Sequence, residues 1–165
     1  MRVFLADNQP RVRFALRTLL EQQPGLEVLG EAVDAQDLLT QTQKDCPDLV
    51  LLDWGLPGLA ALDLLSALRG LCPDLVVIVL SGRVLARKAA LAAGADAFVS
   101  KGDPPERLLA AIDDCGTARR DGVDRARPGV CSRAAKRVRI PQEGGRNGTS
   151  VERLCDYPRD TKKES

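Results

Sequence analysis

Leu49-Val50-Leu51-Leu52-Asp53-Trp54-Gly55-Leu56-Pro57-Gly58 is the stretch that decides the fold. Its four leading apolar residues show no polar alternation, as expected of a strand covered on both faces. A carboxylate follows them, and then a turn rich in glycine and proline, which a central strand does not tolerate. Strands buried on both faces belong to parallel sheets flanked by helices. In open sheets of that kind, chemistry collects just beyond the carboxyl ends of the strands. Asp53 stands at such an end.

The same grammar repeats on either side of this stretch. Residues 2–6 read as a strand (β1) ending in front of Asp7. From Pro10 a helix (α1) places Val12, Leu16, Leu19 and Leu20 on one face, with Arg11, Arg13, Arg17 and Glu21 largely outside it. Pro10 suits a first turn, Asn8 is a plausible cap, and Pro24-Gly25 ends the helix. Residues 26–33 form a second strand (β2), and Asp34–Lys44 a more polar helix (α2) with Leu38 and Leu39 inward.

The strand at 49–52 is the third (β3). A helix (α3) with Ala61, Leu62, Leu65 and Leu68 as its stripe ends at Gly70. The run Leu75–Leu80 is a second doubly buried strand (β4), and Ser81 follows it. An alanine-rich helix from about Leu85 to Ala93 (α4) stops at Gly94. A short strand over Ala97–Ser100 (β5) and a last helix from Pro105 (α5), carrying Leu108, Leu109, Ile112 and Cys115, complete the pattern. Five strand-helix alternations with short loops predict a doubly wound, five-stranded parallel sheet of order 2-1-3-4-5, a flavodoxin-like α/β fold. Asp7, Asp53, Ser81 and Lys101 then terminate β1, β3, β4 and β5 on one edge and can converge there.

Composition bounds what this edge can do. The 165 residues hold 24 Lys/Arg and 23 Asp/Glu and no histidine. A histidine base and a Ser-His or Cys-His nucleophile are therefore excluded, and a zinc site has little to work with. Carboxylates, Lys101, backbone amides or a metal must carry any chemistry. The five cysteines are widely spaced without a C-x-x-C pair, and read as reduced thiols, the first three in or near the core. The apolar run at the N-terminus is interrupted by Asp7, too early for a signal peptide. No segment reaches the ~18 uninterrupted apolar residues of a membrane span. A soluble, cytoplasmic protein with no membrane partner is the expectation.

The charge divides unevenly. Residues 1–116 carry 11 Lys/Arg and 16 Asp/Glu, a balance of −5, and residues 117–165 carry 13 and 7, a balance of +6. The expected organisation is one domain over 1–116 and a basic, disordered tail over 117–165 without helix-turn-helix spacing. Arg133 to Arg139 could touch phosphates non-specifically, but a solvated tail is the plainer reading.

From Val3 to about Ile112 these motifs, taken in order, resemble the receiver domain of two-component response regulators. Asp7-Asn8 is similar to the family's acidic pair after β1, and Asp53 with Leu56-Pro57-Gly58 to its phosphoacceptor and following loop. Ser81 matches the hydroxyl after β4, Phe98 the switch aromatic and Lys101 the lysine after β5. Gly94-Ala95-Asp96-Ala97-Phe98-Val99-Ser100-Lys101 and Leu108-Leu109-Ala110-Ala111-Ile112 look most like the NarL/FixJ-like subgroup, which usually continues into a DNA-binding domain.

The resemblance implies a regulatory domain of a phosphorelay rather than an enzyme in its own right. A sensor histidine kinase would phosphorylate Asp53 to an aspartyl phosphate, and the domain would assist its own Mg2+-dependent phosphorylation and dephosphorylation. Asp7, Asn8, Asp53 and the backbone carbonyl of Gly55 would hold Mg2+. Lys101 and Ser81 would meet the phosphoryl group. Ser81 and Phe98 would relay its arrival to the α4–β5–α5 face, through which a homodimer is a further implied partner.

Three departures stand out. Asn8 occupies the place of a second carboxylate, Ala60-Ala61 the place of an Asp-Gly pair that caps α3, and Gly102 the place of a proline. Each site residue also has a plainer reading: Asp7 or Ser81 as a helix cap, Lys101 as a solvated charge, Phe98 as core. Other classes remain to be weighed. A dinucleotide enzyme would need a glycine-rich turn after β1, where Asp7-Asn8-Gln9-Pro10 stands. A haloacid-dehalogenase-like phosphatase would need a second Asp where Gly55 stands. The main alternatives are an interaction module that keeps the fold without phosphorylation and a truncated relative of a DNA-binding regulator.

Overall fold

The computed structural model describes residues 1–120. Its elements in chain order are β1 (Arg2–Ala6), α1 (Pro10–Glu21), β2 (Glu27–Ala32), α2 (Ala35–Lys44), β3 (Leu49–Asp53), α3 (Ala61–Leu71), β4 (Val76–Ser81), α4 (Ala86–Ala92), β5 (Ala97–Ser100) and α5 (Pro105–Arg120). The five strands pair in parallel in the order β2-β1-β3-β4-β5. This is the expected doubly wound sheet. The expected tail beyond α5 lies outside the described residues, and α5 itself runs through Gly116 to Arg120.

The period of two along each central strand divides the core between the sheet's faces. Phe4, Ala6, Val50, Leu52, Val77 and Val79 point to the side covered by Leu38 of α2, Leu64, Leu65 and Leu68 of α3 and Ala90 of α4. Val3, Leu5, Leu49, Leu51, Ile78 and Val99 point to the other, where Leu20 of α1 and Leu108, Ile112 and Cys115 of α5 close over them. β3 and β4 need apolar residues at every core position because both faces are covered. The edge strand β2 is mostly half-buried.

Several local expectations are corrected. Leu62 is exposed, and Leu64 takes its place in the α3 stripe. At 100° per residue, 61, 64, 65 and 68 share a face that position 62 leaves. The residue before α1 is Gln9, not Asn8, and it caps without a side-chain hydrogen bond. Cys46 is exposed and joined to Cys72 in a disulfide across 26 residues, rather than lying reduced near the core. The loop into β3 and the C-cap of α3 bring their Cα atoms to 6.0 Å, within disulfide reach. Cys115 is buried, as read.

One cap and one glycine carry the loop geometry. Asp34 Oδ1 accepts from Asp37 N at 2.8 Å and starts α2, whereas α3 starts at Ala60 with no side-chain cap, as the missing Asp-Gly pair implied. Gly58 sits at φ +107 with the position of an added Cβ 3.3 Å from Ala35 Cβ. A left-handed backbone pressed against α2 is a place for glycine. There Pro57 O accepts from Ala35 N at 2.8 Å, pinning the loop after Asp53 to the start of α2.

Candidate functional site

Strand register alone brings the charged residues together. Ala6 pairs with Leu52 and Asp53 with Leu80, so Asp7, one residue past Ala6, comes level with Asp53. Ser81 follows Leu80 and pairs with Ser100, so Lys101 lies one residue beyond that pair. The backbone ties the strand ends further: Trp54 N donates to Leu80 O at 2.8 Å and Lys101 N to Ser81 O at 2.9 Å.

Lys101 Nζ is the centre of the constellation. It donates to Asp7 Oδ2 at 2.6 Å and stands 3.1 Å from Asp53 Oδ1. Burial opposes the ammonium charge, but the bonds to Asp7 and then Asp53 outweigh it and hold the Lys101 pKa above its ordinary 10.5. Asp7 is 1% exposed, and its buried carboxylate is both paired and hydrogen-bonded. Its other oxygen accepts from Gln9 N at 2.9 Å, so one carboxylate both turns the chain into α1 and faces Lys101. Asp7 thus both caps the turn and pairs with Lys101.

A second shell of charge went unread in the sequence. Arg13 Nη1 donates to Asp7 O at 2.7 Å, while its Nε donates to Glu31 Oε2 at 2.8 Å. Arg17 Nε donates to Glu31 Oε1 at 2.7 Å. The helix period placed Arg13 and Arg17 outside the apolar stripe. Their shared i,i+4 face beside an edge strand carrying Glu31 was the available signal.

The remaining residues divide. Gly55 is exposed, and an added Cβ there would lie 3.5 Å from Asp53 Oδ2, which places Gly55 against the Asp53 carboxylate. Asn8 is exposed, one residue past the buried Asp7. Ser81 is 5% exposed, and its Oγ accepts from Arg83 N at 3.1 Å, which leaves its hydroxyl proton to donate. Phe98 is half-buried, opposite Val79 in the sheet and packed against the core beneath α4. On its outer side lies a cavity of about 380 Å³ lined by Val84, Arg87, Phe98, Ser100, Arg107 and Asp114.

Asp7 and Asp53 bring two carboxylates to one cation, and hard carboxylate oxygens are the kind of donor that suits Mg2+. No group of three or more His, Cys, Asp and Glu able to hold a metal gathers among the described residues. None of the described helices is long and apolar enough to cross a membrane.

Comparison with known proteins agrees with the geometry. Residues 3–113 match the response regulator receiver domain model. A putative transcriptional regulator of Pseudomonas aeruginosa is 37% identical over 112 residues, 67% of this chain and 54% of the relative. The nitrate/nitrite response regulator protein NarP of Escherichia coli K12 is 35% identical over 112 residues, 67% of this chain and 52% of NarP. The chain thus spans about half the length of these relatives. Among solved structures, a LuxR-family two-component response regulator from Aurantimonas superposes with a TM-score of 0.67 at 29% identity, over 72% of this chain and 86% of that one. The isolated receiver domain of RcsB from Salmonella enterica, in the presence of the phosphomimetic BeF3-, gives 0.63 at 28% identity, over 69% and 88%.

Proposed function

The chain belongs to the response regulator receiver domain family, and from that premise we propose that Asp53 takes a phosphoryl group from the phosphohistidine of a sensor kinase. A carboxylate oxygen of Asp53 attacks phosphorus, the P–N bond breaks, and the imidazole leaves with the electron pair as an acyl phosphate forms. The observation that carries this reading is the placement of Lys101 Nζ on Asp7 and Asp53 together. An ammonium already paired with the acceptor can follow charge onto an incoming phosphoryl oxygen as a point charge.

Asp7, Asn8, Asp53 and the Gly55 carbonyl would hold Mg2+, which when bound supplies neutralising charge for an anion approaching an anionic nucleophile. Ser81 would turn its hydroxyl proton toward the phosphoryl group. The β4–α4 loop would follow, and Phe98 would rotate inward. That motion would change the α4–β5–α5 face, which borders the cavity beside Phe98. A domain that reads a kinase in this way works in the cytoplasm, and that face is the natural site of a homodimer. The relatives' length beyond the match is where an output such as DNA binding would lie.

Trp54 is the single tryptophan and adjoins Asp53. Titration with Mg2+ and then beryllofluoride should change its fluorescence at both steps, and Asp53→Asn should lose the second. No change at either step would favour an interaction module that works without phosphorylation.

A further inference from the structure

We propose that Cys46 and Cys72 form a reversible thiol–disulfide site that exchanges with small thiols, a modification independent of phosphorylation. The two sulfurs differ in access. Cys46 lies exposed in the loop between α2 and β3, whereas Cys72 is 4% exposed at the C-cap of α3. A dissolved thiolate can therefore reach only the Cys46 side of the bond.

Both redox states are accommodated. The backbone N–H of Cys72 donates to Leu68 O, a bond that does not involve its sulfur and that holds the helix end without relying on the disulfide. Leu71 O lies 3.8 Å from Cys46 Sγ and can accept its thiol hydrogen once the bond opens. Reduced Cys72 falls back among Leu68, Leu75 and their neighbours, where a small buried thiol is at home.

The exchange balances in two steps. A thiolate such as glutathione's attacks Cys46 Sγ, forming a mixed disulfide, while the Cys46–Cys72 bond breaks and its electron pair leaves on the Cys72 sulfur, which takes up a proton. A second thiolate attacks the outer sulfur and releases Cys46, which also takes up a proton. The protein disulfide gains two electrons, and two small thiols become one small disulfide. Oxidised glutathione drives the reverse.

The bond has a structural consequence for the phosphoacceptor segment. It ties the end of α2 to the end of α3, and residues 46–72 become a closed loop that contains Asp53. The start of α2 already grips that loop through Ala35 N and Pro57 O. With the disulfide closed, α2 is anchored at both ends to the frame that carries Asp53.

The test uses the full chain. After incubation with oxidised glutathione, acid quench and alkylation, peptide mapping should find residues 46 and 72 cross-linked. Transfer to reduced glutathione without denaturant should make both alkylatable while circular dichroism stays folded, and the cycle should repeat. In Cys72→Ser, oxidised glutathione should add to Cys46. In Cys46→Ser, Cys72 should take up far less. Failure to form the 46–72 link, opening only in denaturant, or equal glutathione uptake by the two variants would each overturn the proposal.

Discussion

Asp7 shows why single residues mislead and sets of them do not. As a lone strand-end acid it reads equally as a cap, and in the structure one oxygen turns the chain while the other meets Lys101. Order along the sequence made the set legible, because parallel register converts position at strand ends into proximity. Asn8 is the residue where family pattern and this chain part. Replacing a carboxylate by an amide removes a unit of negative charge from the proposed cation site. Asn8→Asp should tighten Mg2+ by on the order of tenfold, since Coulomb attraction over a few ångströms at the surface amounts to more than 1.4 kcal/mol. Trp54 fluorescence reads the change, and unchanged affinity would discard this account of Asn8. Arg13 marks the limit of sequence reading here. Its pairing with Glu31 depends on how α1 lies on β2, which the i,i+4 spacing of Arg13 and Arg17 hints at but does not fix.

At the scale of elements, β3 and β4 were legible because a strand covered on both faces must be apolar throughout. The α3 stripe is ambiguous in sequence at Leu62 because leucines also occupy 64 and 65, and propensity alone does not choose among adjacent apolar residues. The Cys46–Cys72 bond is invisible in sequence for a related reason: spacing of 26 residues says nothing until α2 and α3 are laid side by side. Ala60 gives the clearest element-level prediction. It precedes α3 in an extended conformation, φ −62 and ψ 141, with no side chain to accept from the first turn. Ala60→Asp should supply that acceptor and stabilise the domain by about 0.5–1 kcal/mol, read as a higher urea midpoint with unchanged slope. An unchanged or lower midpoint would show that the first turn of α3 is satisfied by other means.

At the scale of the molecule, the Arg13–Glu31–Arg17 group joins α1 to the edge strand and to the back of Asp7. The Arg17 bond holds the Glu31 carboxyl below its usual 4.5, with Arg13 helping and burial opposing. A depressed acid stabilises the fold above its unfolded value and loses that contribution as pH falls through its folded value. Glu31→Gln should therefore cost about 1 kcal/mol at neutral pH, with the difference from wild type shrinking as pH drops below 4.5. Chemical denaturation across that range checks it, and a pH-independent difference would point to packing instead. The sheet order, the register and the charged edge all serve one claim, that Asp53 is where this molecule takes up a phosphoryl group. Intact-mass measurement after incubation with Mg2+ and acetyl phosphate tests it most directly. The account predicts one added phosphoryl group, labile to hydroxylamine and absent in Asp53→Asn; no addition, or equal addition to the variant, would contradict it.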